Sequence, residues 1–225
     1  MSGATDRDLI AAAFGPQAPL AEQILAAMAP LPQDGAHDLA HLIRVWRNAE
    51  IIAREEDACE MRVLLAAVLL HDCVPIEKNA PQRAQASRLS ATRGCEIAAA
   101  LGWDAAHIAA LSHAIEAHSF TSGLRPASPE ARILHDADKL DAIGAIGIAR
   151  CFYVAGRIGS ALYDPAGAAA GQRTPNDRLY ALDHFLIKLF LVADAFLTEA
   201  GRRMARERAE LMRLFFARFC AEAGV

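Results

Sequence analysis

The sequence predicts an all-α protein, and three observations predict it. Alanine and leucine dominate, while tyrosine (3) and tryptophan (2) are scarce and β-branched runs are short, a balance that favours helix over sheet. Apolar residues recur at helical spacing in segment after segment. Between those segments stand helix punctuation signals, with Ser128-Pro129-Glu130 as a start and Gly102 as a stop.

Taken in order, residues 6–14 and 20–30 read as short helices parted by Gly15, Pro16 and Pro19, and Leu31 to Gly35 reads as a turn. A helix follows over 38–54, with Leu39, Leu42, Ile43, Trp46, Ala49 and Ile52 forming its apolar stripe. The next helix, 58–71, contains VLLAAVLL between Arg62 and His71. Apolar on every face, it predicts a central, buried helix. A polar loop (72–84) leads to a helix over 85–101 that Gly102 stops, and then to a helix over 104–118. After a loop at 121–127, Ser128-Pro129-Glu130 supplies a cap, a first-position proline and a first-turn acid. The helix it starts runs through HDADKLDAIG, and Gly144 and Gly147 in the continuing segment permit close packing or a bend. The longest loop is 158–177, a length that is often functional, and helices over 177–197 and 201–222 close the chain. No linker or repeat interrupts it, so the expectation is one all-helical domain over 1–225, with a core at 36–145 and peripheral helices at 1–30 and 177–223.

Bulk properties exclude several classes. With 23 basic and 27 acidic residues the net charge is −4, against a nucleic-acid partner, which requires a basic surface. The longest apolar run, 8 residues, is too short to span a bilayer, and MSGATDRDLIAAAFG lacks the features of a secretory signal. A cytoplasmic location with no membrane partner is the expectation. Five cysteines without a CxxC pair read as reduced, mostly buried small apolar residues.

Chemistry concentrates at His37-Asp38-Leu39-Ala40-His41, at His71-Asp72 directly after the buried helix, and at Asp136-Ala137-Asp138-Lys139-Leu140-Asp141. Each alone has a bland explanation: a cap with a satisfied histidine, a surface pair, a solvated acidic stretch. Together they place nitrogen and oxygen donors at helix ends or beside apolar faces on three segments. Burying such groups is expensive unless they are partnered, and a divalent ion partners them. Mixed nitrogen and oxygen donors suit manganese, iron, cobalt, nickel or zinc better than calcium, and a closed thiolate zinc site is not indicated.

The set His41, His71-Asp72 and Asp138 resembles the HD superfamily of metal-dependent phosphohydrolases: a histidine, a His-Asp pair after an apolar helix, and a distant aspartate. His41-Leu42-Ile43-Arg44-Val45 is similar to the family's opening segment and Ala137-Asp138-Lys139-Leu140 to its closing one. HDxxHxxRVWRNA, HDCV…KNAPQRAQASRLSA, AIEAHSF, HDADKLDAIGAIGIAR, ALYDP and YALDHF…K further resemble one bacterial subgroup, the YedJ/YpgQ-like proteins, from about residue 18 to the end.

The resemblance implies an HD-domain helical bundle with additional N- and C-terminal helices. It also implies one divalent metal ion held by His41, His71, Asp72 and Asp138, so that Asp138 rather than Asp136 is the last ligand. Mn2+ is favoured, with Mg2+, Co2+, Ni2+, Fe2+ or Zn2+ as alternatives. The implied activity is hydrolysis of nucleoside triphosphates to monophosphate and pyrophosphate. A nucleotide phosphomonoesterase or phosphodiesterase is the rival within the class, and a non-catalytic regulatory or assembly module the rival outside it. Asp72 is expected to touch both metal and attacking water. His118 either donates a proton to the leaving group, contacts phosphate, or is a satisfied core histidine. Lys139 either binds phosphate or pairs with Asp136 or Asp141. Arg44, Lys78, Arg83, Arg88 and Arg173 are candidates for binding a polyphosphate, whose charge one metal cannot neutralise. His37 and Asp38 read as supporting the site or the substrate, and Asp141 as holding a ligand or Lys139. Asp183 and His184 read as mid-helix groups with local bonds, and Trp46 and Trp103 as packing. The expected partner is a small phosphate-containing substrate, and a homodimer follows only from how common such assemblies are.

Overall fold

The computed structural model describes residues 6–29, 38–56, 58–76, 84–119, 122–167 and 173–225. Among them there is no sheet: helices account for the regular structure, with one isolated bridge between Ala161 and Tyr180. The helices are α1 (Asp6–Phe14), α2 (Ala18–Met28), α3 (Leu39–Ala53), α4 (Met61–Leu70), α5 (Ala86–Ala100), α6 (Ala105–Ala117), α7 (Pro129–Asp141), α8 (Gly144–Ile158), α9 (Phe190–Ala193) and α10 (Glu199–Ala223). No helix among the described residues is long and apolar enough to cross a membrane. The chain divides into two compact units, Met1–Asp138 and Lys139–Val225.

In the first unit α4 is the central helix that its composition predicts. Val63 to Leu70 are all buried, and α4 packs against α2, α3, α5 and α6. Burying that apolar surface is what holds the unit together. Side-chain caps start the surrounding helices. Asp38 accepts from the His41 N–H at 3.0 Å and opens α3, Asp104 accepts from the His107 N–H at 3.0 Å and opens α6, and Ser128 accepts from the Ala131 N–H at 3.2 Å and opens α7. Gly102, at φ +76°, follows α5 as expected. The helix read over 58–71 begins later, at Met61, because Ala58 takes φ +58° and Glu60 becomes the cap, accepting from the Arg62 N–H. Trp46 is fully buried 6.1 Å from Phe14, and Trp103 is buried under the Arg62 guanidinium.

In the second unit the continuing segment after Asp141 bends rather than running on. Gly144 takes φ +73° at the start of α8, and a Cβ on Gly147 would lie 2.3 Å from the Ala142 carbonyl oxygen. One larger difference concerns 177–197, read from sequence as a single helix. The Ala181 and Leu182 N–H groups donate to the Ala161 and Leu162 carbonyls at 2.8 and 3.0 Å. Backbone donors committed to a segment 20 residues upstream are not available for α-helical bonding. The segment therefore holds a turn, a short π-helix (Phe185–Leu189) and α9. A ring cluster of Phe152, Phe185, Phe190, Phe215, Phe216 and Phe219 packs α8, the π-helix, α9 and α10 together. All five cysteines are free, but only Cys151 and Cys220 are buried; Cys59, Cys73 and Cys95 are half-buried, a correction to their expected placement. Cys59 and Cys73 lie at the two ends of α4, where the core meets loops.

Candidate metal centre

Three helices of the first unit bring donors together. His41 lies in the first turn of α3, His71 caps the C-terminus of α4, and Asp138 lies near the end of α7. His41 Nε2 and His71 Nε2 are 3.4 Å apart. Asp138 Oδ1 is 3.8 Å from the first and 3.7 Å from the second. Atoms about 2.1 Å from one shared ion lie ~3–4 Å from one another, so the spacing fits a single ion among them. Both imidazoles are buried, His41 at 1% exposure and His71 at 0%, while the Asp138 carboxylate keeps 31%. The centre is thus closed on its histidine side and open on its carboxylate side.

Backbone carbonyls set the tautomers. His71 Nδ1 donates to the Val68 carbonyl at 2.8 Å, and His118 Nδ1 donates to the Ile115 carbonyl at 2.6 Å. Each bond leaves Nε2 with its lone pair, the form a metal or a proton takes up. His118 caps α6, and its ring meets that of His71 edge to face at 5.0 Å. A second donor set, His71, Asp72 and His118, therefore shares His71 with the first. Asp72 Oδ2 lies 3.8 Å from His71 Nε2.

Electrostatics agree with this geometry. Burial opposes ionisation of the Asp138 carboxyl, but His71, His41 and His118 outweigh it and hold the group below its usual range. Burial, and then His71, push His118 down, against the opposing pull of Asp72 and Asp138, so its neutral form is favoured.

The neighbouring polar residues are placed differently. Asp136 is fully buried and accepts from His135 Nδ1 at 2.8 Å. Asp141 accepts from Arg150 at 2.5 Å. Lys139, half-buried, follows Asp138 on α7, Arg44 is half-buried on α3 and Arg88 is exposed on α5. His113 Nε2 accepts the Ala127 N–H at 3.1 Å. In the second unit Arg173 donates to both Asp183 oxygens, at 2.6 and 3.0 Å, and its Nε lies 2.8 Å from Asp164. Asp183 and His184 precede the π-helix instead of lying mid-helix, and His184 Nδ1 bonds Asp177 at 2.9 Å. His37, Lys78 and Arg83 lie outside the described residues. Sequence reasoning missed Asn48, buried on α3 and donating to the Ala137 carbonyl at 3.1 Å. A polar residue within an apolar stripe is the signal that could have found it.

An all-helical core with a histidine, a His-Asp pair and a distant aspartate at one point defines the HD type of metal-dependent phosphohydrolase. Residues 38–143 match the HD domain family. The Bacillus subtilis protein YpgQ is 31% identical over 187 residues, which is 81% of this chain and 82% of that one. A Lactobacillus plantarum protein of known structure is 32% identical, with TM-score 0.69 over 91% of this chain and 96% of that chain. An HD-superfamily hydrolase from Bacillus thuringiensis is 26% identical, with TM-score 0.71 over 93% and 98%. A crystal structure of YpgQ in complex with ADP aligns with TM-score 0.69, 28% identity, and coverage of 90% of this chain and 93% of that one. The chain belongs to the HD superfamily, among the YpgQ-like proteins. Its fold and donor set support metal-dependent phosphohydrolase activity.

Proposed function

We infer that the protein is a nucleoside triphosphate pyrophosphohydrolase that releases nucleoside monophosphate and pyrophosphate with one divalent ion, Mn2+ favoured. The observation that carries the reading is the meeting of His41 Nε2, His71 Nε2 and Asp138 Oδ1, from three helices, within 3.8 Å of one another. The ADP complex of YpgQ supports a nucleotide as substrate.

His41, His71, Asp72 and Asp138 would hold the ion, which when bound polarises a phosphoryl oxygen and lowers the pKa of water. The chain's own residues do the rest. The carbonyl of Val68 fixes the ring of His71 so that Nε2 points at the centre. The Asp72 carboxylate, next to that nitrogen, orients the attacking water and accepts its hydrogen bond. His118, neutral with the Nε2 lone pair available, accepts the proton that the attacking water releases and then gives it to the leaving phosphate oxygen. Lys139, Arg44 and Arg88, with Lys78 and Arg83 from the sequence, supply positive charge for the polyphosphate. Arg173 is already committed to Asp183 and Asp164, and this reading leaves it a structural role.

Phosphorus NMR of a nucleoside triphosphate incubated with the protein and Mn2+ tests the reading. Pyrophosphate with nucleoside monophosphate is the expected product pair. Release of orthophosphate alone would reject the bond assigned here, and loss of no substrate with any of manganese, magnesium, cobalt or zinc would reject the activity.

A further inference from the structure

Helix α3 buries one continuous face in the first unit, made of His41, Leu42, Val45, Trp46, Asn48, Ala49 and Ile52. His41 is accounted for by the metal centre, and the other residues of the face are apolar except Asn48. That residue is only 6% exposed. Enclosing an amide is unfavourable unless it is bonded, and an apolar side chain of the same shape is often as good or better for stability. Packing alone therefore gives no reason for an asparagine at this position.

Its bond gives one. Asn48 Nδ2 donates to the Ala137 carbonyl on α7 at 3.1 Å. A carbonyl has two lone pairs, so it accepts this donor in addition to a helical one. Ala137 immediately precedes Asp138, whose Oδ1 lies 3.8 Å from His41 Nε2. Asn48 is seven residues after His41, two turns further along the same face of α3. Helix α3 thus reaches α7 at two neighbouring residues, once through a ligand side chain and once through a backbone carbonyl. A helix held at one point can slide or rotate, whereas one held at two is fixed in register.

We propose that Asn48 is a positioning residue for the metal centre, its amide fixing α7 so that the Asp138 carboxylate meets the two histidine nitrogens. The proposal rests on the reading of His41, His71 and Asp138 as ligands. It predicts that removing the amide weakens metal binding beyond any general loss of stability. Supporting groups around ligands typically change metal affinity by about 10- to 100-fold; acting through backbone, Asn48 belongs at the lower end, roughly tenfold.

The test is calorimetric titration of metal-stripped protein with Mn2+ at a temperature where every variant is folded by circular dichroism. Four proteins are compared: wild type, Asn48→Leu, Asn48→Ser and Ile52→Ala. Ile52→Ala lowers stability from the same buried face without touching the Ala137 carbonyl. Asn48→Leu is expected to bind Mn2+ roughly tenfold more weakly than wild type, Ile52→Ala as tightly as wild type, and Asn48→Ser in between because it keeps a donor on a shorter arm. Where Asn48→Leu does not fold, the same comparison is read from Asn48→Ser. Wild-type affinity in the Asn48 variants would overturn the positioning role, as would an equal loss in Ile52→Ala. Absence of Mn2+ binding by wild type would instead overturn the metal centre itself.

Discussion

Three helical glycines should respond to the same substitution with three different outcomes. A Cβ on Gly156, in α8, meets nothing within 4 Å. Gly156→Ala therefore gains the helix preference of alanine, ~1 kcal/mol, with nothing to offset it. On Gly94, in α5, a Cβ would lie 2.8 Å from Ile115 Cδ1 and 3.6 Å from Leu70 Cβ. The first contact is the end of a flexible side chain, but Ile115 is wholly buried, so ~1–3 kcal/mol of overpacking opposes the gain. The net change is a loss of about 0–2 kcal/mol. On Gly147 the Cβ would come 2.3 Å from the oxygen and 2.6 Å from the carbon of the Ala142 carbonyl. Backbone has to move there, and a loss of at least ~2 kcal/mol is expected after the helix gain. Thermal unfolding reads the order directly, at roughly 2–4 °C per kcal/mol for a chain of this size. Gly156→Ala should raise the midpoint, Gly94→Ala lower it slightly or leave it, and Gly147→Ala lower it most. A Gly147→Ala protein as stable as wild type would refute the tight turn between α7 and α8.

Other measurements bear on the titrating groups. Burial, then Glu130, Glu60 and Glu56, push the Cys59 thiol up to about 12; burial, against a Ser90 hydrogen bond, pushes Cys73 up to about 11. At pH 8 their thiolate fractions are on the order of 10⁻⁴ and 10⁻³; after the higher intrinsic nucleophilicity of such thiolates is included, a disulfide reagent should label both at least about tenfold more slowly than free cysteine, and labelling at the free rate would contradict the enclosure of α4's ends. The metal-stripped protein should lose stability in acid for two separable reasons. His118 has a depressed pKa, so the stability it supplies is complete above its unfolded value of 6.5 and is lost as pH falls through the folded value. Asp138 is also depressed, and its share is lost only below 3.8. Urea midpoints between pH 7.5 and 5 should therefore fall in wild type and fall less in His118→Gln; equal slopes would remove His118 from the account.

The fold was legible wherever the information is local. The all-round apolar character of 63–70 marks α4 as central, and Ser128 announces the start of α7 three residues before the N–H it caps. The segment 177–197 was not legible, because its backbone bonds go to Ala161 and Leu162, and helical periodicity carries no trace of a partner that far upstream. The candidate donor cluster was visible as residue types: a His-Asp pair ending a buried helix is conspicuous, and His41, His71 and Asp138 do converge. The supporting bonds were invisible, since the Val68, Ile115 and Ala137 carbonyls that hold the histidines and Asn48 have no sequence signature. The lysine and arginine candidates are the least constrained, because a flexible cation can serve either substrate or surface from the same position.

The central claim is that His41, His71, Asp72 and Asp138 hold the ion on which phosphate hydrolysis depends. Metal content and triphosphate turnover, measured together on His71→Ala after loading with Mn2+ and removal of excess, test it most directly. His71 is the residue common to both donor sets, so the account predicts a folded protein that retains neither bound manganese nor pyrophosphate release. A His71→Ala protein with a full equivalent of manganese and wild-type turnover would contradict it.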